Sequence, residues 1–412
     1  YKRQVMDYLF KIYYKDKSNY NEIYNSRLNF ETTLKTNLVI KPYKTDKQYQ
    51  LYYMYNNDTA TYLDRIRNND NILNNLKDSL PWIAKNAFLV DIISSELISS
   101  NDLEGVETNK EEIADTTRNI LNRNKTHSKR LSSMINSYIL LISDNSLKVP
   151  QDFKDVRKIY GEITKNEIDE SDEIDGKYFR KDIVYVQKKG TVSNEIIHKG
   201  ITGEENIESS VLSLLNMLDD KNTPMLLKVA IAHYYFGYIH PFYDGNGRVG
   251  RFISSLYIRQ EYNYLTAMSL SRGCLLKNSD YYKAFRITNS NINKGEMNYF
   301  IDEFLSILLK GQEDIIDNLK DKLEKLNYSK ERIEKDEKID TLLKKILMFM
   351  LSQSYYFDNN AGIDRNTLIE YAENENPVKR IKDELRELEV DGIIKVVKKR
   401  PLIYAVNDEY FY

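Results

Sequence analysis

Residues 240–251 read His-Pro-Phe-Tyr-Asp-Gly-Asn-Gly-Arg-Val-Gly-Arg. Apolar residues at helical spacing precede this stretch from Pro224 to Tyr235, and proline suits the first turn of a helix because that position needs no N–H. Apolar residues recur at i, i+3, i+4 and i+7 across residues 249–256. The stretch is therefore predicted to be a glycine-rich turn between two helices, with the second helix beginning close to Asn246.

The glycine-rich turn has the properties of an anion-binding site. The first turn of a helix presents free N–H groups and the positive end of the helix dipole, and Gly245 and Gly247 let the backbone approach a ligand closely. Arg248 and Arg251 are three residues apart, so they share one face of the helix and are predicted to reach the same polyphosphate. This combination indicates nucleotide chemistry.

One other nucleotide-binding pattern is excluded by its context. Residues 245–250 satisfy the G-x-G-x-x-G pattern of dinucleotide-binding proteins, but that pattern requires a β-strand immediately before the glycines. A helical pattern precedes them in this chain. We therefore interpret the match as coincidental.

The same stretch matches the Fic family motif H-x-F-x-(D/E)-G-N-G-R-x-x-R at every specified position, so the chain resembles that family. The related Doc kinases have lysine where this chain has Gly247, and they bind the nucleotide in an inverted direction. Gly247 therefore favours nucleotidyl transfer over phosphoryl transfer. The resemblance implies a mainly α fold, a Fic-type helical bundle with a β-hairpin flap, in which Phe242 is interpreted as a core anchor of the loop.

The resemblance and the residue chemistry together suggest a role for each polar group. Histidine titrates near neutrality, so His240 suits a general base that removes the proton of an attacking hydroxyl. Asp244 is predicted to hold Mg²⁺, a hard cation that prefers oxygen ligands, and it can also cap the helix. Asn246 and the backbone around Gly245 and Gly247 are predicted to hold the α- and β-phosphates of ATP, and the two arginines to bear the charge of pyrophosphate.

A second motif lies upstream. Ser100-Asn-Asp-Leu-Glu-Gly matches the pattern (S/T)-x-x-x-E-(G/N) of the inhibitory helix of the family, predicted here over about residues 86–105. In family members with this arrangement, the glutamate pairs with the second arginine of the site and blocks the γ-phosphate. The resemblance therefore implies regulatory roles for Ser100, Glu104 and Gly105, with Arg251 as the partner of Glu104. The alternative is a surface glutamate beside a glycine that ends a helix.

Residues 176–198 are predicted to contain the flap. Gly176-Lys-Tyr-Phe-Arg180 resembles the stretch that leads into the flap in the family, and β-branched residues at 183–186 and 195–198 flank a turn around Gly190. The edge of such a hairpin can hold an extended target segment through main-chain hydrogen bonds. A plain surface hairpin is the alternative.

Residues 339–412 are predicted to form a separate winged helix-turn-helix domain. Helical patterns at 342–351, 365–372 and 378–389 are followed by two strand-like runs around a basic turn at 398–401. The third helix mixes basic and acidic residues, so it supplies little net charge for DNA phosphates. Both DNA binding and protein interaction stay open, and the charge-rich helix at 311–338 is predicted to connect domains or to form a homodimer.

The composition is that of an ordinary globular protein, with 412 residues of which 41% are hydrophobic and 30% charged, which is enough for two or three domains. The net charge of −2 gives no overall attraction to nucleic acid, and no membrane partner is expected. The single cysteine, Cys274, excludes an internal disulfide and fits a reducing compartment. Since there is no long apolar run or signal-peptide pattern, a cytoplasmic location is expected.

The predicted organisation is an N-terminal helical region at 1–150, a Fic catalytic core at 151–310, the connecting helix and the winged-helix domain. Within the core, Tyr281, Tyr282 and Phe285 lie at helical spacing and are interpreted as packing residues rather than adenine contacts. The chain is predicted to be a protein adenylyltransferase that uses ATP and Mg²⁺ to transfer AMP to a Ser, Thr or Tyr hydroxyl of a target protein or of itself, under autoinhibition by Glu104. The alternatives are removal of AMP at the same site and a DNA-binding regulator that carries a Fic domain as a sensor.

Overall fold

The computed structural model of the chain describes residues 7–121, 131–143, 148–187, 196–373 and 376–411. Internal contacts divide the chain into two compact units. The larger unit consists of Tyr1–Asn71 and Ile93–Glu313, and the smaller unit consists of Ile72–Ile92 and Asp314–Tyr412.

Helices predominate, and in chain order they are α1 (Leu9–Lys15), α2 (Tyr20–Leu28), α3 (Asn57–Ser79), α4 (Trp82–Glu104), α5 (Lys110–Leu121), α6 (Ser132–Ile142), α7 (Phe153–Ile163), α8 (Glu204–Leu218), α9 (Met225–Ile239), α10 (Asn246–Ile258), α11 (Tyr264–Ala267), α12 (Leu270–Leu276), α13 (Asn278–Thr288), α14 (Asn298–Lys335), α15 (Leu342–Phe357), α16 (Arg365–Ala372) and α17 (Val378–Val390). The strands are β1 (Thr33–Ile40), β2 (Tyr49–Met54), β3 (Tyr185–Gln187), β4 (Ile196–Lys199), β5 (Ile363–Asp364), β6 (Ile394–Lys399) and β7 (Leu402–Val406). β1 pairs with β2 and β3 with β4, and the last three strands form a sheet of order β5-β7-β6.

Two adjacent helices of the larger unit, α9 and α10, are almost completely buried, α9 with a largely apolar sequence and α10 although it includes Arg248 and Arg251. Every residue of α9 except Met225 and Gly237 is buried, and every residue of α10 except Gly247 is buried. α9 packs against both α8 and α10. The predicted pair of helices around the glycine-rich turn is confirmed, with Pro224 lying directly before α9 as its N-cap residue rather than inside the first turn.

The prediction of a purely helical N-terminal region is wrong for residues 33–54, which form the antiparallel hairpin of β1 and β2. Thr36, Leu38 and Ile40 are buried on one face of β1, and the residues between them are exposed. This alternation is the signature of a half-buried strand. It was hidden in the sequence because the buried face includes a polar threonine and the exposed face includes the apolar Val39.

The prediction of a separate charged helix at 311–338 is also wrong, because α14 continues unbroken from Asn298 to Lys335. Gly311 lies inside this helix and permits close packing, since a Cβ at this position would lie 2.1 Å from the carbonyl oxygen of Ser269. Gly273 in α12 has the same role, because its Cβ would lie 2.2 Å from the carbonyl oxygen of Ile307. These glycines mark close helix contacts rather than helix ends.

The smaller unit has the element order predicted for a winged helix-turn-helix, with α15, α16 and α17 followed by the β6–β7 hairpin. Ile381, Leu385 and Leu388 recur at helical spacing on α17 and are completely buried. They pack in one apolar cluster with Leu347 of α15 and Val406 of β7. This face of α17 therefore holds the unit together.

The charges of α17 are distributed unevenly around the helix. Lys344 Nζ of α15 lies 2.9 Å from a carboxylate oxygen of Glu387 and 3.9 Å from one of the buried Glu384, whereas Lys382 and Arg386 are exposed. The exposed residues of α17 include four basic side chains, Lys379, Arg380, Lys382 and Arg386, and three acidic side chains, Asp383, Glu387 and Glu389, so the exposed part of the helix is nearly neutral, as the residue counts indicated. DNA binding by this unit stays a prediction.

In the part of the chain that the structure describes, no helix combines the length and the apolar character required to cross a membrane. Cys274 is completely buried in α12, and burial raises the pKa of its thiol to about 12. The thiol is therefore protonated at neutral pH.

Candidate active site

The loop between α9 and α10 is fixed by its own side chains. Asn246 Oδ1 accepts a hydrogen bond from the backbone N–H of Phe242 at 3.0 Å, and Asn246 Nδ2 donates to the carbonyl oxygen of Phe242 at 2.8 Å. The Phe242 ring is fully buried and stacks on Tyr160 with the ring centroids 3.8 Å apart. Phe242 is therefore the core anchor predicted from the sequence, and the amide of Asn246 holds the loop in shape.

The first turn of α10 has the features of an anion-binding site. Gly245 is the N-cap residue in a left-handed conformation with φ +79°, where glycine is favoured. Arg248 is fully buried, and its Nε and Nη1 have no hydrogen-bond partner among the residues that the structure describes. Unpaired buried donors are costly unless an acceptor arrives. A phosphate group at this helix N-terminus supplies such an acceptor, so the residues present fit a nucleotide.

Asp244 lies at the mouth of the same site. Its Oδ2 accepts a hydrogen bond from Arg248 Nη2 at 2.9 Å, and its side chain is 42% exposed. The described residues contain no cluster of three or more metal-binding side chains. A divalent cation here would therefore combine the carboxylate of Asp244 with phosphate oxygens and water, as Mg²⁺ does in many nucleotide sites.

The second arginine is engaged by α4. Arg251 is 1% exposed; its Nη2 donates to Glu104 Oε1 at 2.8 Å and to the carbonyl oxygen of Ser100 at 2.8 Å, and its Nε donates to Ser100 Oγ at 3.1 Å. Glu104 is the last residue of α4, and Gly105 follows with φ +78°. A Cβ on Gly247 would lie 1.9 Å from Glu104 Oε1, so the carboxylate rests directly on the glycine-rich turn.

His240 ends α9 in a left-handed conformation, with φ 52° and ψ 62°. Burial lowers the pKa of its imidazole to about 4, with smaller contributions from neighbouring His198 and Arg180, while Glu104 acts in the opposite direction. The ring is therefore neutral at physiological pH and has a free lone pair for a proton. This protonation state is the one that a general base requires.

Two of the other histidines have structural partners. The ring nitrogens of His233 lie 2.9 Å from Ser254 Oγ and 2.8 Å from Tyr281 Oη, and burial lowers the pKa of this imidazole to about 3. His198 Nε2 donates to the carbonyl oxygen of Tyr238 at 2.6 Å. His127 lies outside the described residues.

A cavity of about 770 Å³ joins these groups, and its walls come from the loop, the flap strands, the end of α4 and α13. Its lining includes Glu104, His240, Asp244, Asn246, Gly247 and Arg251. This volume is in the range of pockets that hold small-molecule ligands. The structure thus brings together residues that lie about 150 positions apart in the sequence.

The α13 wall combines packing with cavity lining. Tyr281 is 5% exposed and contacts His233, and Phe285 lies edge-on to Phe300, as expected for packing residues. Tyr282 donates its hydroxyl hydrogen bond to the carbonyl oxygen of Leu103 at 2.8 Å. The three α13 aromatic residues, Tyr281, Tyr282 and Phe285, also line the cavity. Packing and ligand contact are therefore compatible at these positions.

The flap is present as the antiparallel strands β3 and β4, with Val186 opposite His198. Tyr185, Val186 and Ile197 line the cavity. The turn predicted around Gly190 lies outside the described residues. β3 and β4 form a sheet of their own, so each has one edge that is not paired within that sheet.

One residue important to this geometry received no role in the sequence analysis. Arg180 belongs to the stretch that leads into the flap, yet its side chain is fully buried and donates to backbone carbonyl groups at the end of α9. The sequence signal was limited to its place in the family-like stretch. Nothing in the local pattern indicated that the side chain of this arginine would be enclosed.

Parts of this chain are similar to known proteins. Residues 150–258 match the model of the Fic/DOC family. The crystal structure of a Fic family protein from Desulfovibrio desulfuricans matches with a TM-score of 0.50 at 14% identity, over 87% of this chain and 99% of that chain. Fic-1 from C. elegans matches with a TM-score of 0.44 at 15% identity, over 63% of this chain and 72% of that chain. A Fic domain containing signaling protein from Bacteroides thetaiotaomicron matches with a TM-score of 0.41 at 16% identity, over 64% of this chain and 97% of that chain.

The residues matched by the family model include the loop and both of its flanking helices, α9 and α10. The chain contains a Fic/DOC family domain, and its fold is mainly α. At these sequence identities, the likeness to the Desulfovibrio protein shows the fold.

Proposed function

We propose that this chain is a protein adenylyltransferase that transfers AMP from ATP to a Ser, Thr or Tyr hydroxyl of a target protein, with its own hydroxyl groups as further acceptors. Members of the Fic family commonly transfer AMP or other nucleotidyl groups to proteins. The observation that carries the proposal is the neutral His240 in one cavity with Asp244 and Arg251, where the buried, partly unpaired Arg248 donates a hydrogen bond to Asp244.

The reaction makes one bond and breaks one bond at the α-phosphorus. The hydroxyl oxygen of the target attacks the α-phosphorus of ATP, while its proton moves to the neutral imidazole of His240. The bond between the α-phosphorus and the bridging oxygen breaks, and pyrophosphate leaves with the electron pair. Arg248 and the backbone N–H groups of the first turn of α10 stabilise the negative charge that develops on the phosphates.

Asp244 is the residue that would hold Mg²⁺. Its carboxylate is partly exposed beside the anion site, and the hydrogen bond from Arg248 keeps it turned toward the phosphates. Bound Mg²⁺ would supply charge neutralisation for the phosphate oxygens. Asp244 therefore contributes to binding and orientation of the nucleotide rather than to proton transfer.

The bond between Glu104 and Arg251 suggests that this activity is autoinhibited. Arg251 is the second cation of the site, and in the structure its donors are directed at Glu104 and Ser100. A carboxylate in this position competes with the γ-phosphate for the same guanidinium and repels it. Nucleotide bound with its γ-phosphate displaced would present the α-phosphorus at an unfavourable angle.

A second activity is favoured by the same contact. Glu104 places a carboxylate inside the cavity that contains His240. A carboxylate there can accept a proton from water while the water oxygen attacks the phosphorus of an AMP-modified side chain. The bond between the phosphorus and the side-chain oxygen breaks, AMP leaves, and the side-chain oxygen takes up a proton to become a hydroxyl again. Removal of AMP from a target is therefore the alternative direction of chemistry at this site.

The experiment that tests the proposed function uses ATP labelled at either the α- or the γ-phosphate. Each is incubated with Mg²⁺, the Glu104→Gly protein and a cell lysate, and labelled protein bands are identified. Nucleotidyl transfer predicts label from the α-position only. Label from the γ-position would show phosphoryl transfer, and absence of label from both would reject the proposal.

A further inference from the structure

Arg180 is an arginine with 0% exposure whose donors go to the backbone. Its Nε donates to the carbonyl oxygen of His240 at 2.8 Å, and its Nη2 donates to those of Ile201 at 2.8 Å and Ile239 at 3.3 Å. Its Nη1 donates to the carbonyl oxygen of Asp182 at 2.5 Å. The planar guanidinium thus joins the flap segment to the end of α9.

The charge of Arg180 is balanced without an ion pair among the described residues. Its acceptors are four main-chain carbonyl groups, and two of them belong to the C-terminal end of α9. The last carbonyl groups of a helix lack intrahelical partners and form the negative end of the helix dipole. Burial lowers the pKa of Arg180 to about 10, so the guanidinium stays charged at neutral pH.

The two α9 carbonyl groups belong to the peptide units on either side of the Cα of His240. That residue is in the left-handed region, which is unfavourable for a residue other than glycine. A guanidinium that binds the carbonyl oxygens of both Ile239 and His240 fixes the two dihedral angles that direct the imidazole. The conformation of the base is therefore held by a side chain from another segment.

Further contacts fasten the flap segment to the same place. The backbone N–H of Arg180 donates to the carbonyl oxygen of Pro241 at 3.2 Å, and that of Ile201 donates to Ile239 at 3.1 Å. Gly200 leaves the space for the guanidinium, because a Cβ there would lie 2.5 Å from Arg180 Nη2. The backbone on both sides of His240 is thus clamped by residues before and after the flap strands.

We propose that Arg180 is a positioning residue that fixes the backbone conformation of His240 and thereby aims the imidazole at the target hydroxyl. This inference rests on the proposed function for its kinetic consequence, although the positioning itself is independent of which group is transferred. The positive charge of Arg180 also favours the neutral imidazole, because it contributes to the low pKa of His240. Lysine cannot replace the arginine, since an ammonium is a point donor and cannot match a planar fork that spans four carbonyl groups.

The test compares Arg180→Lys with Arg180→Gln in the Glu104→Gly background. The control is Arg27→Lys, which alters another buried arginine, one that pairs with Glu296 in the same unit. We expect Arg180→Lys to lower kcat by about 10- to 100-fold, because misplacement of a reacting group by about 1 Å costs on that order. The KM for ATP should change by less than about threefold, since no nucleotide contact is removed. Arg27→Lys should leave kcat unchanged at temperatures where the protein is folded.

A second measurement does not depend on activity. The histidine Cε1–H signals in a ¹³C–¹H spectrum are assigned to His240 by comparison with a His240→Gln protein. Arg180→Lys and Arg180→Gln should move the His240 signal and leave that of His233 in place, whereas Arg27→Lys should move neither. If the Arg180→Gln protein does not fold, the Arg180→Lys protein alone tests the inference, because lysine keeps the positive charge and one donor nitrogen.

The outcomes separate this inference from the proposed function. If the Glu104→Gly parent transfers no nucleotide, the proposed function fails, and the His240 signal still reports whether Arg180 positions the base. A kcat of Arg180→Lys within about twofold of the parent, or an unmoved His240 signal, would overturn the inference. A rise in KM with unchanged kcat would also overturn it, since the residue would then act in nucleotide binding.

Discussion

Glu104 Oε1 accepts a hydrogen bond from Arg251 Nη2 at 2.8 Å, a contact between residues 147 positions apart in the sequence. The same guanidinium is held by both the hydroxyl and the carbonyl oxygen of Ser100. The last turn of α4 thus occupies the donors of the second arginine of the anion site. Under the proposed function, this contact competes with the γ-phosphate of ATP for Arg251.

Replacement of His240 by alanine should abolish transfer without loss of nucleotide binding. A general base contributes about 10²- to 10⁴-fold to the rate, so kcat should fall by at least that range. The anion site stays intact, and the dissociation constant for ATP, measured by calorimetry, should change little. A His240→Ala protein that labels targets at the parental rate would show that another group removes the proton.

The pH dependence of transfer should lack an acid limb near the ordinary value of histidine. Burial, with smaller contributions from His198 and Arg180, lowers the pKa of the His240 imidazole to about 4. The base form exists above this value, so activity is lost only as the pH falls toward it. A profile of kcat/KM between pH 5 and 9 should show no loss of activity centred near pH 6.5. An exposed histidine has its pKa at about this value. A limb centred there would contradict the assignment.

Glu96 should make the protein less stable as the pH rises from the ordinary pKa of a glutamate, 4.5, to about 7. This completely buried carboxyl faces the backbone N–H of Ser271, and burial raises its pKa to about 7. Its folded-state pKa lies above its unfolded value, so its stabilising contribution is present below about pH 4.5 and is lost as the pH rises toward 7, by about 1.4 kcal/mol per pH unit. Glu96→Gln should remove this dependence in urea unfolding at pH 5 and pH 8. Parallel losses of stability in both proteins would contradict the prediction.

Two glycines inside helices should respond oppositely to alanine. At Gly311 the new Cβ would meet a carbonyl oxygen at 2.1 Å, and backbone atoms cannot give way cheaply, so Gly311→Ala should destabilise the protein by about 1–3 kcal/mol. At Gly161 in α7, the nearest atom is the end of the Arg157 side chain at 3.3 Å. Gly161→Ala should therefore be neutral or stabilise by up to about 1 kcal/mol. Equal changes in the thermal stability of the two variants would show that the helix contact at Gly311 can accommodate a Cβ.

The sequence was sufficient to predict the loop between α9 and α10, because the residues that shape it are close together in the chain. His240, Asp244 and the glycines lie within a few residues of one another, and the helical patterns on either side determine how they are presented. The pairing of Glu104 with Arg251 followed from the resemblance alone. No local property of α4 indicates which distant helix its last turn will meet.

The missed features depend on packing between segments. The β1–β2 hairpin was hidden by a buried threonine, and the continuity of α14 by a glycine that serves a helix contact. Arg180 was overlooked because its acceptors are backbone carbonyl groups. Every residue has such a group, so the sequence does not show which ones will bind a side chain. Such contacts become visible only when the segments are placed together.

The contact between Glu104 and Arg251 should limit the rate of AMP transfer. Loss of the carboxylate leaves the guanidinium available to the γ-phosphate, so Glu104→Gly should raise the initial rate by on the order of 10- to 100-fold. The gain should disappear in Glu104→Gly combined with Arg251→Ala, because the released arginine is the group through which the change acts. Glu107→Gly, at an exposed glutamate just beyond α4, is the matched control and should behave as the parent.

The most direct test is the initial rate at which label from the α-phosphate of ATP becomes protein-bound in these four proteins, measured side by side with Mg²⁺. The account predicts slow transfer by the parent and by Glu107→Gly, fast transfer by Glu104→Gly, and loss of the gain in the double variant. A Glu104→Gly protein that transfers AMP no faster than the parent would contradict autoinhibition by this contact.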